Sequence, residues 1–221
     1  MKTDSQLQQD VMAQLKWEPL LRSAEIGVSA KDGVITLTGS VDGYAKKTEA
    51  EDAAKRVVGV KAVVEKIELK YASNWAKKDD GDVAAEIVSA FKWNWEVPAD
   101  KVKVRVENGY VTLEGEVEWN FQREAAARAV RSLLGITGVV NNIKIKSQAA
   151  DAIEKADIES AFARNWSTSD NEIGVKVSGH KATLTGTVGS WYQKDEAGRI
   201  ARNAPGVWNV ENDLAVEYDY S

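Results

Sequence analysis

Apolar residues recur at helical spacing in three places: Leu7, Val11 and Leu15; Val83, Ile87 and Phe91; Ile158 and Phe162. Residues four apart share one helix face, so each set predicts an amphipathic helix with a buried stripe. Each helix is followed by strict alternation: Ile26-x-Val28, Val102-x-Val104-x-Val106 and Ile173-x-Val175-x-Val177. That period belongs to a half-buried strand. Asp32-Gly33 and Asn108-Gly109 then mark tight turns into a second strand. The third copy departs here, reading Ser178-Gly179-His180-Lys181 with one inserted residue. An Ala-rich helix comes next, stops at a glycine, and leads into a last apolar strand.

The three passages are copies of one unit. Gly39, Gly115 and Gly186 align, as do Gly59, Gly135 and Gly206; the first offset is 76 residues at both glycines and the second is 71. Constant register over a whole unit predicts duplicated domains. The expected fold is α+β: three tandem α-β-β-α-β units, each a small three-stranded mixed sheet packed against two helices. The boundaries are read as repeat one at 1–70, a linker at 71–79, repeat two at 80–146 and repeat three at 147–221. Asp4, Asp80 and Asp151 align as candidate helix N-caps. The mid-strand glycines and the small helix residues Ala50, Ala53, Ala126, Ala129, Ala197 and Ala201 are expected to let helix and sheet approach closely.

The motif order, D/N-G-x-V-x-L-x-G-x-V, an Ala-rich helix, then G-V-x-x-V-x-N-x-L-x-V, resembles the BON domain. Repeat two matches most fully, with Asn108-Gly109, Leu113, Gly115, Gly135, Val139, Asn141 and Ile143. Repeat three keeps Gly206-Val207, Val210, Asn212 and Leu214, and repeat one carries Glu65 at the Asn position. The resemblance implies a non-enzymatic bacterial domain of envelope and stress-response proteins, osmotic stress included, that associates with phospholipid surfaces. The matching residues are core and turn residues, so they carry the fold across and no binding site.

Candidate binding residues come from the aromatics instead. In an α-β-β-α-β unit the end of the first helix and the loop before the second share one pole, because the hairpin returns the chain. Trp17 aligns with Trp93, and Trp95 with Trp166; Trp119, Phe121, Trp191 and Tyr192 occupy the other loop, with Lys92 and Arg123 nearby. Two readings compete. Large aromatics are mostly buried, so they could cover the open end of a small core. Alternatively the pole docks on a phospholipid surface, or on a protein client as a scaffold or holdase would. Trp93 and Trp95 would point about 200° apart on a helix, which fits one buried face poorly. Repeat two has the densest pole and is the expected binding unit.

Composition narrows the chemistry. The 221 residues are 43% hydrophobic and 29% charged, and no apolar run approaches the roughly 20 residues of a membrane-spanning helix. There is no cysteine and a single histidine, so no metal site, cofactor or catalytic residue is assigned. His180 is expected as an exposed turn residue. The net charge of −5 argues against nucleic acid as a partner. Repeat three is the most acidic, with 7 Lys+Arg against 11 Asp+Glu over 151–217. The polar start predicts a cytoplasmic protein if Met1 is the natural start, and a periplasmic one if a signal peptide was removed.

Overall fold

The computed structural model describes residues 2–21, 26–70, 78–146, 155–165, 168 and 173–217. Repeat one runs α1 (Asp4–Trp17), β1 (Ile26–Lys31), β2 (Val34–Val41), α2 (Tyr44–Lys55), β3 (Ala62–Leu69). Repeat two runs α3 (Asp80–Trp93), β4 (Val102–Glu107), β5 (Tyr110–Val117), α4 (Asn120–Arg131), β6 (Gly138–Ile145). Repeat three runs α5 (Lys155–Arg164), β7 (Ile173–Ser178), β8 (Lys181–Val188), α6 (Trp191–Arg202), then β9 (Asn209–Asn212) and β10 (Ala215–Val216). This is the α-β-β-α-β order three times over.

The periodic apolar residues are the core. Val83, Ile87 and Phe91 pack with Val111, Leu113, Val130 and Ile136 in repeat two, and Ile158 and Phe162 with Leu184, Ala201 and Leu214 in repeat three. Leu7, Val11 and Leu15 are buried in the same way in repeat one. Each fully buried Leu, Ile or Phe contributes about 1.5–3 kcal/mol, and such stripes hold these short helices in place.

In each unit the middle strand pairs on both sides. β5 is antiparallel to β4, with Val104 opposite Leu113, and parallel to β6, with Leu113 opposite Asn141. The other sheets repeat this order. In repeat three the last strand is split: β9 pairs with the start of β8 and β10 with its end. Asp213 and Leu214 interrupt it, and Leu214 drops into the core at 1% exposure.

Two expectations about caps and turns need correction. The helix N-caps are Thr3 and Asp79, whose side chains accept the Gln6 and Asp82 amides, not Asp4 and Asp80; Asp151 lies outside the described residues. Asp80 instead accepts the Asn108 and Gly109 amides, at 2.7 and 2.9 Å, and so ties α3 to the β4–β5 turn. That turn has positive φ at both residues, 52° and 75°, as a two-residue hairpin requires. Repeat three makes a turn of the same length from Gly179 and His180, with no inserted residue.

The mid-strand glycine has a different cause from the one inferred. Gly115 has φ 140°, and a Cβ there would collide with the Lys101 carbonyl oxygen, so the constraint lies in the backbone leading into β4. The alanines do serve helix packing: Ala50, Ala53, Ala126, Ala197 and Ala201 are fully buried, while Ala129 is half-buried.

Backbone proximity divides the chain into two compact units. The first holds Met1–Ser40, Lys46–Glu68 and Ala152–Ser221, most of repeat one together with repeat three; the second holds Val41–Ala45 and Leu69–Asp151.

Candidate functional site: an exposed aromatic pole

Repeat two ends its first helix with a short sequence that forces two indoles outward. α3 stops at Trp93 because Asn94 leaves helical geometry, with φ −99° and ψ 105°, while its N–H still reaches the Ala90 carbonyl. The Asn94 side chain then accepts the Glu96 amide at 3.0 Å, and the Val97 amide donates to the Asn94 carbonyl. This local turn is the kind Asn makes with its own backbone. Phe91 and Val97 anchor its two ends in the core, at 2% and 5% exposure. Between those anchors Trp93 is 89% exposed and Trp95 88%. The helical angle between the pair therefore does not apply: Trp95 has left the helix, and neither indole is buried.

Repeat one repeats the device. Trp17 closes α1 at 84% exposure and Leu20 is 57% exposed, between the buried Leu15 and Leu21. Trp166 lies outside the described residues. At the other loop of repeat two, Trp119 and Phe121 are 40% and 43% exposed at the start of α4. Gln122 accepts the Glu118 and Trp119 amides, each at 3.1 Å, and fixes that start. An ion pair between Lys101 and Glu118, at 2.9 Å, ties the two loops together. The Glu118 carboxylate holds the exposed Lys101 ammonium above its ordinary pKa.

The cations around these aromatics are largely matched. Arg123 pairs with Glu124 at 3.3 Å and Arg128 with Glu96 at 3.2 Å. Lys92 is exposed and has no ion-pair partner among the described residues. In repeat one Arg56 pairs with Glu18, beside Trp17, at 2.7 Å.

The residues aligned with Arg123 have structural work. Asn141 donates from Nδ2 to the Arg123 carbonyl at 2.9 Å, and its Oδ1 accepts the Ile143 amide at 3.2 Å. Asn212 donates to the Lys194 carbonyl in the same way, at 2.7 Å. Repeat one uses Glu65 at this position, and its carboxylate takes the Lys47 ammonium at 2.8 Å and the Ile67 amide. Lys47 and Lys194 also donate to the Ile67 and Leu214 carbonyls. Both lysines therefore brace the second helix against the last strand and do not meet solvent as a basic patch.

Trp191 of repeat three is engaged with the chain itself. Trp191 donates from Nε1 to the Lys61 carbonyl of repeat one at 2.6 Å, within the first unit, and Lys194 lies over its ring at 5.4 Å. Tyr192 is half-buried. The aromatic pole is thus open in repeat two, and at Trp17 in repeat one, while Trp191 is engaged.

Sequence reasoning left Trp208 and His180 apart. Their rings stack at 3.7 Å with a 2° interplanar angle, and His180 Nδ1 lies 2.9 Å from the Gly206 carbonyl oxygen. His180 is half-buried, not an exposed turn residue. A signal existed: parallel pairing sets Lys181 opposite Asn209, which brings the preceding residues, His180 and Trp208, side by side.

Among the described residues no three His, Cys, Asp or Glu side chains group as metal ligands, and no helix is long and apolar enough to cross a membrane. A groove of about 560 Å³ lies between α5 and α6, lined by Asp157, Arg164, Asn165, Ile200 and Asn203. It includes none of the aromatic candidates. What the pole can do chemically is present apolar, ring-faced surface with little net charge.

Comparison with known proteins follows the repeats. A family model described as BON domain matches residues 3–71, 79–147 and 150–218. Osmotically-inducible protein Y of Escherichia coli (strain K12) is 32% identical over 146 residues, 65% of this chain and 73% of that protein. CdsD, a structural protein of the type III secretion system of Chlamydia trachomatis, aligns at 16% identity over 96% of this chain and 92% of that one, with a TM-score of 0.26. The PrgH periplasmic domain aligns at 9% over 87% and 95%, with a TM-score of 0.24. With so little overlap in three dimensions, neither of these two likenesses informs the function of this chain.

Proposed function

Because the chain belongs to the BON domain family, with three tandem copies of the domain, we propose that it is a non-enzymatic binding protein that docks on phospholipid membrane surfaces. Repeat two supplies the contact. The observation that carries this reading is the pair of indoles at 89% and 88% exposure, held out by the buried Phe91 and Val97. An indole so exposed keeps a large apolar area in water, and the headgroup region of a bilayer takes both its ring and its N–H. The likeness to an osmotically-inducible protein extends the reading to osmotic stress.

Flotation of the full chain with mixed phosphatidylcholine–phosphatidylglycerol vesicles tests it. An indole that hides about 100 Å² contributes about 2 kcal/mol, so Trp93→Ala with Trp95→Ala is expected to lower vesicle affinity at least about a hundredfold. Circular dichroism should stay unchanged, since neither side chain supports the core. Wild-type protein that stays at the bottom of the gradient would sink the proposal.

A second reading is favoured by one observation. Trp191, at the start of α6, donates to a protein backbone carbonyl, at Lys61, so an aromatic at this position of the fold can recognise protein. A scaffold or holdase would use the exposed pole in the same way. Suppression of aggregation of a denatured client, lost in the double Trp variant, would support that reading; no protection over a wide concentration range would count against it.

A further inference from the structure

Resting on that docking reading, we infer that the pole of repeat two recognises a zwitterionic phospholipid surface through its aromatic rings and does not need anionic lipid. Charge pairing around the rings is the reason. Residues 91–101 and 117–128 hold four cations, Lys92, Lys101, Arg123 and Arg128, and four carboxylates, Glu96, Asp100, Glu118 and Glu124. Three of the cations are paired, Lys101 with Glu118, Arg123 with Glu124 and Arg128 with Glu96. A paired cation offers an anionic surface little, because its field is cancelled within about 3 Å while the screening length is about 10 Å at 0.1 M salt.

Were all four cations unmatched, anionic lipid would strengthen docking about fivefold for each. Only Lys92 remains in that position. The net charge of the pole is near zero, so the rings must supply the attraction. Indole faces attract quaternary and primary ammonium groups, the positive ends of choline and ethanolamine headgroups. Trp93 and Trp95 present such faces at 89% and 88% exposure. In repeat one the same kind of pairing joins Arg56 to Glu18 beside the exposed Trp17.

The test floats the full chain with pure phosphatidylcholine vesicles and with equimolar phosphatidylcholine–phosphatidylglycerol vesicles. Salt is set at about 0.1 M and about 1 M, where the screening length falls from ~10 to ~3 Å. The expected affinities on the two vesicles agree within about fivefold, the share of one unmatched cation, and change no more than that with salt. A variant carrying Glu96→Gln and Glu118→Gln unmasks two cations. Its affinity should rise about 25-fold on the mixed vesicles and stay level on pure phosphatidylcholine. Retention on the mixed vesicles alone, released at high salt, overturns this inference and leaves the docking reading standing. Retention on neither overturns the docking reading itself. Retention that survives Trp93→Ala with Trp95→Ala overturns the assignment to this pole.

Discussion

Asn141→Ala should loosen repeat two in a way that can be located residue by residue. The side chain makes two bonds, to the Arg123 carbonyl and from the Ile143 amide. The first joins β6 to the opening turn of α4. The second satisfies an amide on a residue only 4% exposed, where water cannot readily replace it. A bond of this kind contributes about 1 kcal/mol net, and a buried amide left unmade costs about 1–3 kcal/mol, so the loss should be ~2–4 kcal/mol. At about 1.4 kcal/mol per decade, amides of β6 and α4 should exchange with solvent roughly 30–700 times faster. Amides of repeats one and three should hardly change. Repeat one supplies the matching rescue, for there Glu65 with Lys47 does the same work at 2.8 Å. Asn141→Glu combined with Arg123→Lys should recover more than half of the lost protection. A change of less than about threefold at Ile143 would show that the asparagine is not a brace.

Other consequences can be checked singly. Gly115→Ala should cost about 2–3 kcal/mol by urea denaturation, since φ 140° and the Lys101 carbonyl both oppose a Cβ; Gly43→Ala, which meets open space, should cost under about 0.5 kcal/mol. His180→Ala should cost repeat three about 1–2 kcal/mol, read as faster exchange at the Trp208 and Asn209 amides, because both the ring stack and the Gly206 contact go. Glu196 is held below its ordinary carboxylate pKa by hydrogen bonds from Arg199, against the opposing effect of burial, with Asn165 adding a further bond. A depressed folded value means its stabilisation is complete above about 4.5 and is lost as pH falls through the lowered value. Acid unfolding of repeat three should therefore be less steep in Glu196→Gln; an unchanged acid limb would refute the linkage.

Much of the fold could be read from spacing alone, because burial acts directly on it. Leu7, Val11 and Leu15, or Val83, Ile87 and Phe91, face one way on any helix, and all six are buried. Paired positive φ at Asn108-Gly109 is likewise a local property of those residue types. What spacing could not supply were choices between neighbours. Asp79 and Asp80 are both competent caps, and only the position of the β4–β5 turn assigns Asp80 to it. Gly115 reads as a packing glycine until the path of Lys101 is known. Exposure of Trp93 and Trp95 was the least legible feature. Average burial favours hidden indoles, and here it is overridden by an Asn turn that only becomes visible once Phe91 and Val97 are seen as anchors.

The repeats share a core but differ in what their aromatics are committed to, and that difference bears on function. Tyr44, Asn120 and Trp191 are the first residues of the three second helices, one position with three chemistries. Asn120 is 3% exposed, whereas Trp191 reaches out to the Lys61 carbonyl. Trp208 is held against His180. Repeat three thus places Trp191 and Trp208 in contacts within the first unit, and its acidic excess makes it the least suited to an anionic surface. Repeat two keeps Trp93 and Trp95 uncommitted and cancels the charges around them. Loss of repeat two's indoles should sharply weaken vesicle binding while Trp191→Phe leaves it intact. The Trp191 change should weaken only the repeat one–repeat three contact, by about 1 kcal/mol for one hydrogen bond. Equal losses of vesicle binding from the two changes would contradict this division of labour.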